Sequence, residues 1–201
     1  MIGPCGSCKA RYGRSCCELP AGATPTFGMT LSEISRIAKS GYDPSFFVTA
    51  EKLTPEEWMD FVRKSDVFAQ LFAGRIRFRL NVSPSSPGTS ACVFLKKGEG
   101  CSLPVGVRPG SCRLYPFWFD RELVKGDGSD DISINSGLFV NNCYGHQLAK
   151  SGIPLLNMFN TSVDELTAIA RRLVDDSYAH AKSIREDYES VKALFPIRDC
   201  E

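Results

Sequence analysis

The sequence predicts an α+β fold: a small, irregular, metal-bound core of short strands and loops, with flanking helices and a long C-terminal helix. Three observations predict it. Two capping signatures, Thr30-Leu-Ser-Glu33 and Thr54-Pro-Glu-Glu57, open helices, and an apolar pattern of helical period runs through about residues 162–194. Alternation of period two marks a strand at residues 75–80, and residues 117–124 and 131–136 read as two more. Eight of the nine cysteines fall in two separated groups, Cys5, Cys8, Cys16 and Cys17 at the start and Cys92, Cys101, Cys112 and Cys143 further on. Thiolates grouped in this way pull distant parts of a chain onto a metal.

Length and composition bound the rest. The chain has 201 residues, 43% of them hydrophobic, enough for one domain that builds a real core. A formal charge of +1 gives no electrostatic case for nucleic acid or for an anionic membrane surface. No apolar run approaches membrane-spanning length, and the first residues lack the apolar stretch of a signal peptide. The expected location is therefore the cytosol, where thiols stay reduced. Ligation then explains the cysteines better than disulfides do, and the odd count points the same way.

Taken in order, residues 1–29 are rich in Gly, Pro, Ala and Thr and cannot pack a core alone, so a metal would supply their ordering energy. In Cys5-x2-Cys8, Gly6 frees the turn that lets two sulfurs converge. The helix opened by Thr30 carries Leu31, Ile34, Ile37 and Ala38 on its apolar face and ends at Gly41. The helix opened by Thr54 has Pro at its first position. It carries Trp58, Phe61, Val62, Val67, Phe68 and Leu71, read as core, and runs to Gly74. In the strand that follows, Arg75, Arg77 and Arg79 alternate with Ile76, Phe78 and Leu80. Three arginines on one face are able to bind an anion, but with net charge near zero a solvated face is preferred.

Residues 83–90 read as a Pro/Ser/Gly loop, residues 91–95 as a short strand carrying Cys92, and residues 96–100 as its turn. Strands at 117–124 and 131–136 are joined by a turn at 125–130. Thr161 or Ser162, with Glu165, caps the long helix, whose apolar residues Leu166, Ile169, Leu173, Ala181, Ile184, Tyr188 and Val191 pack on the domain or on a second copy. Cys200 lies beyond any structured element and is expected to be a spectator.

Eight thiolates exceed the need of one ion or one cubane cluster, each of which takes four. They imply two four-thiolate sites, or one site with the remainder structural. Adjacent Cys16 and Cys17 serve two sites if extended and one if tightly turned. Arg108 and Arg113 flank Cys112 and are expected at the cofactor, offsetting the charge of an anionic centre. His146 follows Cys143 as C-x2-H, a zinc spacing, although an exposed histidine is the commoner outcome. His180, on the long helix with no cysteine nearby in sequence, is expected at the surface. Tyr115, Trp118 and Tyr144 either wall a pocket or form the apolar jacket of a cluster. No Gly-rich phosphate loop, nucleophile elbow or paired-carboxylate motif is present, and no catalytic residue is assigned.

The run C-x2-C…CC with a Leu-Ser-Glu helix start, followed by CVFL…GCS…RPGSCRLYPF, resembles the YkgJ-type cysteine-cluster proteins, a family of zinc- or iron-chelating proteins. Cys5, Cys8, Cys16, Cys17, Cys92, Cys101, Arg108, Pro109, Cys112, Arg113, Pro116 and Phe117 carry the resemblance, with Cys143 as the last family cysteine. It covers residues 1–35 and 90–145. The module is also similar to part of the flagellin lysine methylases, which implies an iron–sulfur cluster. In the family two or three residues usually separate C-x2-C from CC, whereas seven do here, which leaves open whether Cys5 and Cys8 share a site with Cys16 and Cys17.

Two functional classes follow. One is a metal-binding protein whose centre is structural or redox-active and serves a protein or peptide partner. The other is an iron–sulfur enzyme that modifies a protein or peptide, as an oxidoreductase or in a methyltransferase-like way. The first is preferred, because eight cysteines show little sign of an open coordination position. For the cofactor, an iron–sulfur cluster is narrowly preferred over zinc. Ribbon-type zinc sites draw on two compact C-x2-C knuckles and this chain has one, whereas a cluster tolerates ligands scattered at spacings of eight and ten.

Overall fold

A computed structural model describes residues 17–23, 25, 28–96, 99–123, 130–136, 152, 155–195 and 197–199. Helices, small sheets and a long C-terminal helix make up an α+β fold, as the sequence predicts. In chain order come β1 (Glu18–Pro20), α1 (Leu31–Lys39), α2 (Pro44–Phe47), β2 (Val48–Lys52), α3 (Pro55–Lys64), α4 (Asp66–Leu71) and β3 (Ile76–Leu80). Next are β4 (Val82–Ser86), β5 (Thr89–Cys92), β6 (Leu95–Lys96), β7 (Gly100–Cys101), α5 (Gly110–Leu114), β8 (Phe117–Leu123) and β9 (Asp130–Ser136). The remaining elements are α6 (Leu155–Phe159), α7 (Val163–Glu186), α8 (Tyr188–Leu194) and β10 (Ile197–Asp199). No described helix is long and apolar enough to cross a membrane.

Both capping boxes form. The Thr30 hydroxyl accepts from the Glu33 N–H at 3.2 Å while the Glu33 carboxylate accepts from the Thr30 N–H at 2.9 Å, and Thr54 and Glu57 repeat the exchange at 3.2 and 3.0 Å. The single helix expected from residue 55 to Gly74 is two. Ser65 interrupts it in extended conformation and caps α4, its hydroxyl accepting from the Val67 N–H at 3.2 Å. Val67, Phe68 and Leu71 are buried as expected, whereas α3 has no buried residue, its Phe61 lying half-buried against the ring of Phe72 at 4.7 Å. The expected loop at 83–90 is instead the hairpin of β4 and β5, which pair antiparallel with a bulge between Pro84 and Ser86. Ser162 caps α7, accepting from the Glu165 N–H at 3.1 Å, and the helix runs to Glu186 before Asp187 separates it from α8.

The chain divides into two compact units. One comprises residues 17–95, 101–109 and 174–201 and contains two three-stranded sheets, ordered β1-β5-β4 and β10-β2-β3. In the second sheet β2 lies at the centre, parallel to β10 and antiparallel to β3. One face of this sheet carries Val48, Ala50, Ile76, Phe78 and Leu80, which join Ile34 and Ile37 of α1, Phe47, Phe94, Leu103, the α7 residues Ala181 and Ile184, and Val191 in one buried cluster. The Met29 N–H donates to the Phe78 carbonyl at 2.7 Å, which ties the segment before α1 along β3. Gly28 fits there because it has no side chain: a Cβ would lie 2.6 Å from the Phe72 ring.

The other unit comprises residues 1–16, 96–100 and 110–173. Its described part is built on the hairpin of β8 and β9, in register from Phe117 opposite Ser136 to Leu123 opposite Asp130, close to the two strands expected at 117–124 and 131–136. Phe117, Trp118 and Phe119 are all buried, and Phe117 packs edge-on to Phe159 of α6 at 5.7 Å. The turn expected at 125–130 falls largely outside the described residues.

Candidate metal centre

Register first brings cysteines together. Because Glu18 pairs with Ala91, Cys17 falls opposite Cys92, and the Cys92 N–H donates to the Cys17 carbonyl at 3.0 Å. Directly opposed residues of an antiparallel pair send their side chains off the same face. Cys17 is exposed and Cys92 half-buried. Cys101 arrives from β7, the strand paired with β6, and is also half-buried. Cys17, 75 positions away in sequence, thus joins Cys92 and Cys101 in one unit, with Cys92 and Cys101 packed on the rim of its hydrophobic cluster.

Phe94 links two of these segments. Its backbone N–H bonds the Cys92 sulfur, and its carbonyl accepts from the Ser102 N–H at 2.8 Å. Burial pushes the Cys92 thiol up, the Phe94 N–H opposes the rise, and neighbouring Cys101 adds to it. A backbone donor aimed at sulfur suits a thiolate that ligates metal, whereas the apolar surroundings keep the uncomplexed thiol protonated.

Arg108, half-buried, secures the third segment. Its Nε donates to the Leu103 carbonyl at 3.0 Å and its Nη2 to the Cys101 carbonyl at 3.4 Å. The Arg108 carbonyl in turn accepts from Nη2 of Arg36 on α1 at 3.4 Å, and Arg36 lies within 4.0 Å of Asp176 on α7. Arg108 was expected to face the charge of a centre. The contact made here is to the backbone on either side of Ser102, which fixes where Cys101 stands.

Cys112 sits exposed on α5 of the other unit, followed by half-buried Arg113. Trp118 of that unit is buried and stacks on Phe119 with centroids 5.1 Å apart. Cys5, Cys8, Cys16, Cys143, Tyr144, His146 and Cys200 lie outside the described residues. No disulfide joins any two described cysteines, and among the described residues no group of three or more His, Cys, Asp or Glu side chains is placed to hold a metal ion by itself.

His180 corrects an expectation. It is buried, not at the surface: its Nδ1 accepts from the Leu31 N–H at 3.3 Å at the start of α1, and its ring packs edge-on to Phe78 at 5.7 Å. Nε2 is buried without a hydrogen bond of normal geometry among the described residues. Burial holds the ring well below its usual range, at about 4, with the Leu71 backbone offsetting a part. The neutral ring, with Nδ1 unprotonated, is thereby the form that caps α1.

Sequence reasoning missed Phe94 and Arg36. Phe94 had a signal: in Cys92-Val-Phe94 the residue two beyond a cysteine is the one whose N–H can reach back to sulfur. Arg36 had none, since its partners are 72 and 140 positions away. Compared with known proteins, the chain matches no family model, and no curated protein and no solved structure matches it significantly.

Proposed function

We propose that this chain is a metal-binding protein that holds an iron–sulfur cluster, or zinc, through its two groups of cysteines. The observation that carries the reading is the delivery of Cys17, Cys92 and Cys101 by three separate segments, with a backbone N–H on the Cys92 sulfur. The donor set fits the group. Thiolates are the ligands of clusters and of structural zinc, and the apolar rim around Cys92 and Cys101 keeps water from them. The sequence adds Cys5, Cys8, Cys16, Cys112 and Cys143 as proposed ligands, and Arg113 as a cation that would offset thiolate charge. A cluster bound there would supply one-electron chemistry, and zinc would supply folding energy alone. The role proposed is structural or redox, in the cytoplasm, on behalf of a protein or peptide partner.

Because the buried Cys92 thiol is protonated without metal, uptake must release a proton and weaken as pH falls. The test is visible spectroscopy and elemental analysis on protein made and handled without oxygen. Brown protein bleached by dithionite supports the cluster, and Cys101→Ser should then lose at least half of the metal. Colourless protein with two equivalents of zinc would select zinc. A folded, metal-free chain would overturn the reading.

A further inference from the structure

The polar face of the sheet β10-β2-β3 concentrates arginines, and it is not the solvated face expected from the sequence. Arg77 is directly opposite Glu51 in register, Arg79 is one pleat further along opposite Thr49, and Arg198 of β10 flanks Glu51 on its other side. Glu51 accepts from Nε of Arg77 at 2.6 Å through one carboxylate oxygen, which also contacts Nη2 of Arg77, and from Nε of Arg79 at 2.9 Å through the other. The side chains of Arg77, Glu51 and Arg79 are only 9%, 10% and 13% exposed. Arg198 is exposed and makes no ion pair among the described residues.

Two guanidiniums therefore grip one carboxylate and a third arginine is set beside it in register, a local charge of about +2, and among the described residues Glu51 is the only carboxylate that pairs with Arg77 or Arg79. Ten N–H donors on Arg77 and Arg79 face about four lone-pair sites on Glu51. No nitrogen of either arginine is both buried and without a partner, so the donors that Glu51 leaves over keep some solvent access. Partly desolvated positive charge of this kind is costly unless an anion offsets it. Guanidinium forks match phosphate oxygens, and a phosphate carries about −1.5 to −2 at pH 7, the charge this cluster lacks.

We propose that Arg77, Arg79 and Arg198 form an oxyanion site on this sheet that takes a phosphate group, either free phosphate or a phosphomonoester. The site is independent of the cysteines and goes beyond the metal-binding reading. The alternative is a purely structural Arg–Glu–Arg triad.

The test is titration calorimetry of the full chain with inorganic phosphate and with O-phosphoserine, at constant low ionic strength set with chloride. Binding in the range of roughly 0.1–5 mM is expected, with acetate at least tenfold weaker. Tighter O-phosphoserine identifies a phosphomonoester ligand, and equal affinities identify free phosphate; both support the site. Arg79→Gln should weaken binding by at least about tenfold. Should that variant lose its fold, exposed Arg198→Gln, which leaves the triad intact, decides alone with a weakening of about threefold or more. Absence of phosphate binding up to about 10 mM, equal binding of acetate, or Arg198→Gln binding as the natural chain does would leave only the structural triad.

Discussion

The sheets β1-β5-β4 and β10-β2-β3 have three strands each and opposite means of support. The second buries Val48, Ala50, Ile76, Phe78 and Leu80 along its two long strands, each of these side chains except that of Ala50 contributing about 1.5–3 kcal/mol. In the first, Ala91 is the one buried residue of its three strands, and Val82–Ser86 is almost wholly exposed. A sheet without an apolar face needs another source of order. Cys17 and Cys92 stand at the end of this sheet, Cys92 touching the rim of the cluster that the other sheet builds. Burial maintains the second sheet, and on the metal-binding reading proposed above ligation would complete the first.

The strongest way to break that contrast is to damage the buried sheet. Phe78 is fully buried between Phe195, 5.2 Å away, and His180, so Phe78→Ala should cost about 3–5 kcal/mol. Urea unfolding measures it. Metal content per folded molecule should stay unchanged, and a parallel loss of metal would show that the two sheets do not have separate supports.

A second, smaller effect reads the same sheet through pH. His180 in the folded chain titrates at about 4, below its usual 6.5, so between these values the unfolded chain binds the extra proton. The stability it confers is complete above about pH 6.5 and is lost as pH falls towards 4, in total on the order of 3 kcal/mol. His180→Gln should flatten this part of the stability–pH curve relative to the natural chain. Identical curves would place the ring in contact with water.

The smallest effect sharpens the comparison on the cysteine side. Chelating the metal should raise amide exchange in β1, β4 and β5 by roughly tenfold while β2 and β3 keep their protection. Uniform loss of protection across both sheets would mean that metal supports the whole unit.

How legible these features were depended on how local their causes are. Thr30 and Thr54 announce their helices because the capping partner is three residues away. Ser65 was legible too, as a capping residue before Asp66, but the apolar period running across it masked the break. The central strand β2 was not found: Val-Thr-Ala-Glu-Lys alternates too briefly, and its identity comes from pairing with β3 and with β10, about 150 positions away. For the arginine strand, alternation foretold the strand and its two faces. It could not foretell that Glu51 would be set opposite Arg77, which turns a solvated face into a nearly buried charge cluster.

The cysteine spacing and the surrounding Gly, Pro and Ser were enough, without coordinates, to nominate the ligands, because thiolate chemistry and loop composition are properties of residue type. The α+β class and both capping boxes came with them for the same reason, since their signals span only a few neighbouring positions. Tertiary structure alone decided that Cys17 stands opposite Cys92, that Arg108 holds Cys101 by its backbone, and that His180 is buried and neutral at the head of α1. Each of these depends on register or burial between segments tens to over a hundred residues apart, and packing energy selects such pairings only when the whole chain has folded.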